Sequence, residues 1–207
     1  RYGCKVTTTT IARQQFELAG PRIREAGLED RIILLQKDYR DLHGEFDRIV
    51  SIEMIEAVGH RHLPSFFTVF ERHLTPGGRG LIQTITVPDA IYPRYVKTPD
   101  FINRYIFPGG CCPSLGILAQ TAAKHTDLRL IDREELTPHY TRTLQAWRRA
   151  FHANLASVRA LGYDERFIRM WDYYLCYCEG GFAEGFTGVH QLLYERPGQR
   201  SCRREES

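Results

Sequence analysis

No apolar run in the sequence approaches the roughly 20 residues that cross a bilayer as a helix, and nothing in it resembles a signal peptide. Its six cysteines include no CxxC pair, which argues against a structural zinc site. Cys111 and Cys112 are adjacent, and Cys176 and Cys178 share one predicted helix. That is no disulfide scaffold, and reduced cytosolic thiols are the expectation. Lys and Arg are spread along the chain and the net charge is only +3, so the clustered basic face that nucleic acid needs is lacking. The one dense basic run, Arg200 to Arg204, sits in a polar tail and reads as a solvated end or a weak contact with anionic lipid. With 43% hydrophobic and 26% charged residues, neither disorder nor a collagen-like or coiled-coil class fits.

A further absence concerns cofactor chemistry. α/β proteins that cradle a nucleotide-like cofactor place a glycine-rich turn after their first strand. Here Gly77, Gly78 and Gly80 follow a helix pattern and read as its end, while Gly109-Gly110 and Gly180-Gly181 lack the strand context. The opening Arg1-Tyr-Gly-Cys-Lys-Val, without Met or lead-in, reads as the inside of a domain.

What is present alternates strand and helix patterns. Val6 to Thr10 is β-branched and predicts a short strand. Ile11 to Ala26 carries Phe16, Ala19 and Ile23 at helical spacing and stops at Gly27. Arg31 to Gln36 reads as a buried strand, and Asp47 to Ile52 as another after the turn at His43-Gly44. A helix over His62 to Leu74, with Phe66, Val69, Phe70 and Leu74 on its stripe, is ended by Pro76-Gly77-Gly78; a strand follows over Gly80 to Val87. This rhythm predicts a parallel sheet with helices on both faces. Residues 88–124 break it and read as a helical cap inserted over the sheet's carboxyl edge. Leu128 to Asp132 resumes a strand. Two long helices follow, one with Leu144, Trp147, Phe151, Leu155, Val158 and Leu161 on its apolar face. The other starts at Asp164 and carries Phe167, Met170, Trp171, Tyr174, Leu175, Cys178 and Phe182; a last strand over Val189 to Tyr194 precedes the tail, residues 199–207.

Ligands of such sheets bind beyond the carboxyl ends of the strands. This draws attention to Thr10-Ile11, Asp38-Tyr39, Ile52 to Glu56 and Gln83 to Thr86. Glu53 and Glu56 place two carboxylates where a strand gives way to a helix, suited either to a charged ligand or to the first turn of that helix. Cys178 reads as a small core hydrophobe. Tyr140, beside His139 at a helix start, suits either the core or a hydrogen-bonding site.

Four strings then carry a resemblance: Asp38-Tyr-Arg-Asp41, Ser51-Ile-Glu-Met-Ile-Glu56-Ala-Val-Gly59, Tyr105-Ile-Phe-Pro-Gly-Gly110 and Tyr173-Tyr-Leu-Cys-Tyr-Cys-Glu-Gly-Gly-Phe182. In order and without large gaps, from about residue 1 to 198, they resemble the cyclopropane fatty acid synthase and mycolic acid methyltransferase family. The resemblance implies a Rossmann-like α/β methyltransferase domain over 1–198, with S-adenosylmethionine and bicarbonate as cofactors. It implies methyl transfer to a cis double bond of unsaturated phospholipid acyl chains, giving a cyclopropane or a methyl or methylene branch. The implied enzyme is cytoplasmic and peripheral to the membrane, binds no nucleic acid or metal, and admits a homodimer.

By the same resemblance Thr10, Ile11 and Gln15 meet the cofactor ribose, Asp38, Tyr39 and Arg40 form the adenine-side loop, and Ile52 lines the cofactor pocket. Glu56, Gln83, Ile85 and Tyr140 hold bicarbonate, and Cys178, with Glu56 and Tyr140, belongs to the catalytic set. An alkene is not an electrophile, so a pocket-shaping role suits Cys178 better than a nucleophilic one. Gln83 stands where many members carry His; an amide hydrogen-bonds but takes no proton. The family's first strand and glycine-rich loop would precede Arg1, so weak binding of S-adenosylmethionine by this chain, or none, is expected. The rival readings are a catalytically silent domain of the same fold that binds lipid or a partner, and a methyltransferase redirected to a small molecule.

Overall fold

The structure, a computed structural model, describes residues 3–198. The tail from residue 199, with its basic run, lies outside the described residues. The chain divides into two compact units, the first ending at Glu45 and the second beginning at Phe46.

The first unit contains β1 (Val6–Thr9), α1 (Arg13–Glu25) and β2 (Ile32–Leu35). β1 and β2 pair in parallel, Val6 opposite Ile32 and Thr9 opposite Leu35. α1 closes at Gly27, which takes the left-handed φ of +63° that a residue with a Cβ rarely adopts. None of its described residues is buried. β2 therefore corrects the sequence reading: it is a strand but not a buried one, with Ile33 59% exposed. A short 3₁₀ turn, Tyr39–Asp41, ends the unit and is capped by the Asp38 carboxylate.

The second unit is built on a four-stranded sheet in the order β3-β4-β6-β5, where β3 is Phe46–Ile52, β4 Leu74–Thr86, β5 Arg129–Glu135 and β6 Gly188–Glu195. β3 and β4 are parallel, as the alternation of strand and helix predicts. β6 runs antiparallel to both β4 and β5, which it separates, so the sheet is mixed where a parallel one is expected. Along β4 the period of two is clear: Ile82, Thr84 and Thr86 are buried on one face, and Gln83 and Ile85 point to the other.

α3 (Leu63–Arg72) buries Leu63, Phe66, Phe67 and Phe70, a spacing that lays one helical face on the core. Gly80 of β4 makes this packing possible, since a Cβ there would meet the Phe70 ring at 2.3 Å. The helix ends at His73, earlier than its apolar pattern suggests. Leu74 and Pro76-Gly77-Gly78 belong to the start of β4, where Gly77 has φ +79° and the register against β3 slips. The glycines form a bulge within the strand.

Between β4 and β5 lie α4 (Tyr92–Tyr95), a π-helical turn (Ile102–Ile106) and α5 (Leu115–His125). The Cys111 amide donates to the Glu56 carbonyl at 2.8 Å and the Val87 amide to the Pro113 carbonyl at 3.0 Å, tying this segment to the strand ends. The first long helix of the sequence reading is two helices, α6 (Thr137–Ala153) and α7 (Leu155–Ala160), broken at Asn154. Of its expected face only Leu144 is buried, while Trp147 and Leu161 are 55% and 77% exposed. α8 (Glu165–Ala183) is capped by Asp164, whose carboxylate accepts from the Phe167 amide at 2.8 Å. Leu144, Leu175, Phe182 and Val189 join α6, α8 and β6 in one cluster.

Candidate active site

β3 ends at Ile52 and the chain turns sharply into α2 (Ile55–Val58). Glu53 makes that turn with φ +49°, a left-handed conformation that is rare outside glycine and clusters at functional sites. Its amide donates to the Gln83 carbonyl at 2.8 Å, which keeps the turn against β4. Glu53 and Glu56 thereby leave the same strand end but settle in different surroundings.

Glu56 lies mostly buried. Its Oε1 accepts from the Ile85 amide at 2.6 Å and from the Thr84 hydroxyl at 2.8 Å, while Oε2 is buried without a hydrogen-bond partner. Burial raises its pKa above the ordinary carboxylate value, against the opposing pull of the Ile85 amide. Glu53 Oε1 accepts from the Gln83 amide at 3.0 Å and from the Tyr140 phenol. The Gln83 amide nitrogen also lies 3.0 Å from the Tyr140 oxygen, and its carbonyl accepts from Gln191 at 2.8 Å across the β4–β6 pair. Burial and the neighbouring Glu53 carboxylate raise the Tyr140 pKa, so at neutral pH the phenol keeps its proton to donate.

These groups stand at one wall of a cavity of about 920 Å³. Glu53, Glu56 and Ile85 line it; Tyr140 and Gln83 reach that wall through Glu53. α8 and the segment between β4 and β5 supply the rest of the lining, Phe182 meeting Tyr140 with ring centroids 5.2 Å apart. Cys178, Tyr174 and Phe182 line the cavity with Phe107 and Cys112. Burial pushes the Cys178 thiol up to about 11, so it stays a thiol at neutral pH and is no ready nucleophile. Tyr177 donates to Asp100 at 3.2 Å and the Tyr95 hydroxyl accepts from the Cys112 amide at 3.3 Å, placing a few polar groups in an otherwise apolar chamber. Such a chamber suits a long apolar chain with chemistry at one end of the wall.

Thus Glu56 and Ile85 meet each other, Gln83 and Tyr140 meet directly and share Glu53, and Cys178 lines the cavity that Glu53 and Glu56 line. Thr84, within the strand-end stretch that the sequence draws attention to, and Gln191, which carries no signal in the sequence because strand register alone brings it in, complete the network. In the first unit, the Thr10 hydroxyl donates to Gln15 Oε1 at 2.6 Å, and the Asp38 carboxylate grips Arg40 through its backbone amide and guanidinium at 2.7–2.9 Å. That pairing holds the Asp38 pKa down at about 2. Ile11 and Ile52 are 75% and 51% exposed. Among the described residues no cluster of His, Cys, Asp and Glu could hold a metal ion.

Residues 1–192 match the family described as mycolic acid cyclopropane synthetase. The chain belongs to this family. It is 40% identical over 196 residues to a tuberculostearic acid methyltransferase of Mycobacterium tuberculosis, covering 95% of this chain and 46% of that protein. It is 36% identical over 195 residues to the cyclopropane-fatty-acyl-phospholipid synthase of Escherichia coli, covering 94% and 48%. The chain thus spans about half the length of these curated relatives. Among solved structures, a Mycobacterium tuberculosis cyclopropane synthase superposes with a TM-score of 0.85 at 27% identity, covering 94% of this chain and 71% of that one. A mycolic acid cyclopropane synthase solved with SAH and CTAB gives 0.83 at 28% identity, covering 92% and 70%. The fold is accordingly the Rossmann-like α/β fold of the S-adenosylmethionine-dependent methyltransferases.

Proposed function

We propose that the chain carries the substrate side of a methyltransferase that transfers the methyl group of S-adenosylmethionine to a cis double bond of unsaturated phospholipid acyl chains. The observation that supports this best is the pairing of a buried, half-satisfied carboxylate, Glu56, with a mostly apolar cavity of about 920 Å³. When bound, S-adenosylmethionine supplies an electrophilic methyl group. By resemblance Thr10, Ile11, Gln15, Asp38, Tyr39, Arg40 and Ile52 would hold its ribose and adenine; the Thr10 hydroxyl donates to Gln15 and the Asp38 carboxylate accepts from Arg40.

The acyl chain would lie in the cavity; its π electrons would bond to the methyl carbon as the sulfonium–methyl bond breaks, with S-adenosylhomocysteine leaving and positive charge left on the neighbouring alkene carbon. The faces of Tyr174 and Phe182 stabilise that charge. A proton must then leave, either with ring closure to a cyclopropane or with formation of a methylene-branched alkene. Bicarbonate fits as the base by one feature: Glu56 Oε2, buried and without a partner, can accept the O–H of such a group. The Ile85 amide and the Gln83 and Tyr140 donors are committed to Glu56 and Glu53, so those contacts would have to be shared or exchanged. Cys178 shapes the cavity beside them.

The test is mass spectrometry of phospholipids with oleoyl chains after incubation with the full-length parent protein, S-adenosylmethionine and bicarbonate. A gain of one CH₂ per unsaturated chain is expected, with a loss on the order of 100-fold in Glu56→Gln and a smaller loss in Tyr140→Phe. Uptake of unsaturated lipid without consumption of S-adenosylmethionine would establish a silent lipid-binding domain instead. Methyl transfer confined to a small soluble acceptor would equally overturn the reading.

A further inference from the structure

The whole chain carries a net charge of +3, yet residues 137–169 alone hold six arginines against two acidic residues, Asp164 and Glu165. This stretch of α6, α7 and the start of α8 therefore carries +4, and everything else sums to −1. Arg148 of α6 is paired with Asp172 of α8 at 2.7 Å, and part of the remaining charge stands where α7 turns into α8, beside exposed apolar side chains. The turn between α7 and α8 is Leu161-Gly162-Tyr163, with Gly162 at φ +92°. Leu161 is 77% exposed, the largest value among the exposed large hydrophobic residues, and Tyr163 is 47% exposed. Arg159, Arg166 and Arg169 flank this tip and are exposed. Arg159 is paired with Glu165 at 2.6 Å, which leaves Arg166 and Arg169, three apart on one face of α8, as the outward charge.

A ladder of rings connects this tip to the cavity. Tyr163 stacks on Phe167 at 4.2 Å, Phe167 on Trp171 at 5.5 Å, and Trp171 meets Tyr174, which lines the cavity, at 5.0 Å. Phe107, which also lines the cavity and is 56% exposed, contacts Tyr174 at 6.2 Å. An exposed leucine and tyrosine ringed by arginines match the two layers of a lipid surface, acyl boundary below and phosphate above. A protein partner of opposite charge would have no use for an apolar ladder leading inward.

We infer that the α7–α8 tip docks this protein on an anionic phospholipid surface, with Leu161 and Tyr163 inserted at the acyl boundary and Arg166 and Arg169 on headgroup phosphates. This rests on the acyl-chain reading above and gives it a point of entry. No helix among the described residues is long and apolar enough to cross a membrane, so attachment here is to the surface.

Co-sedimentation of the full chain with vesicles of phosphatidylglycerol or of phosphatidylcholine tests the inference. Binding to the anionic vesicles, weakened by salt, is expected. Leu161→Asp and the double variant Arg166→Glu/Arg169→Glu should each lower it by about tenfold or more, with melting curves unchanged because the side chains are exposed. Unchanged binding by either variant, or equal binding to both vesicle types, would overturn the docking edge. A dimer in light scattering that Leu161→Asp dissolves, without vesicle binding, would assign the tip to a second copy and overturn it too. Vesicle binding through the tip without any methyl transfer would sink the acyl-chain reading alone and leave the docking edge supported.

Discussion

Residues 3–45 and residues 46–198 share one grammar of short strands and amphipathic helices, but they bury very different things. The first unit pairs two four-residue strands and one helix without burying any described residue. The second buries Phe66, Phe67, Leu74, Ile82, Leu118, Leu192 and Tyr194 almost completely. The positions assigned to the cofactor lie mostly in the first unit and rest on local devices, the Thr10–Gln15 bond and the Asp38–Arg40 turn. Those assigned to the substrate rest on strand register across a packed sheet. A site on a packed platform keeps its geometry by itself, whereas one on exposed local turns depends on what is laid against it.

Truncation of core side chains should show this contrast at its largest. Phe67 is fully buried and meets Phe66 and Tyr194 edge-on at 5.6 and 5.7 Å. Phe67→Ala should cost about 3–5 kcal/mol, while Ile33→Ala in β2 should stay within about 0.5 kcal/mol. Denaturant melts of both variants decide the matter, and equal losses would break the comparison. Gly80→Ala is next. Its new Cβ would need the place of the Phe70 ring, which is itself buried, and overpacking of this kind costs about 1–3 kcal/mol. The same change at Gly27, which faces open space, tests only the left-handed backbone and should cost about 1 kcal/mol.

Glu56 sharpens the comparison through pH. Burial raises its pKa above the ordinary 4.5. Between 4.5 and the raised value the folded chain therefore keeps a proton that the unfolded chain has released. Stability from this group is present below 4.5 and falls as pH rises through that window. Chemical melts at a series of pH values should show that slope in the second unit, and Glu56→Gln should flatten it. A slope that survives the substitution would assign the buried titration elsewhere.

How much of this was legible differs between local and distant causes. Gln83 and Ile85 stand two apart in a β pattern, so their common face follows from the strand period, and Glu53 and Glu56 are visible as carboxylates at a strand end. The break at Asn154 was not, because Leu155, Val158 and Leu161 continue the helical spacing of α6 and only the exposure of Leu161 reveals the turn of the chain. Pro76-Gly77-Gly78 misleads for a related reason. Glycines after a helix usually end it, but here His73 already has, and the bulge they form is fixed by Phe46 of β3 and Arg196 beyond β6. The antiparallel placement of β6, which brings Gln191 to Gln83, is a long-range pairing that no local pattern encodes. The contribution of the four strings was of another kind: they carried the family, and with it an assignment of roles that spacing alone left open.

The smallest effect is expected at Asp38, and it is informative because it is small. Its Oδ1 accepts from the Arg40 backbone amide at 2.9 Å and so caps the Tyr39–Asp41 turn, while both oxygens meet the guanidinium. The ion pair is open to water, with the Arg40 side chain 58% exposed, so salt screens it. Asp38→Asn keeps the capping oxygen and removes only the charge. At neutral pH and physiological salt its melting curve should lie only slightly below the parent's. Below pH 4 the two should converge. The Asp38 pKa lies at about 2 instead of 3.8, so the stability it contributes is present above 3.8 and lost as pH falls through about 2, a loss the amide cannot show. Amide exchange across β1 and β2 is the direct readout. Faster exchange in Asp38→Asn at neutral pH would mean that the first unit depends on this one charge, and its contrast with the packed sheet would be sharper than burial alone implies.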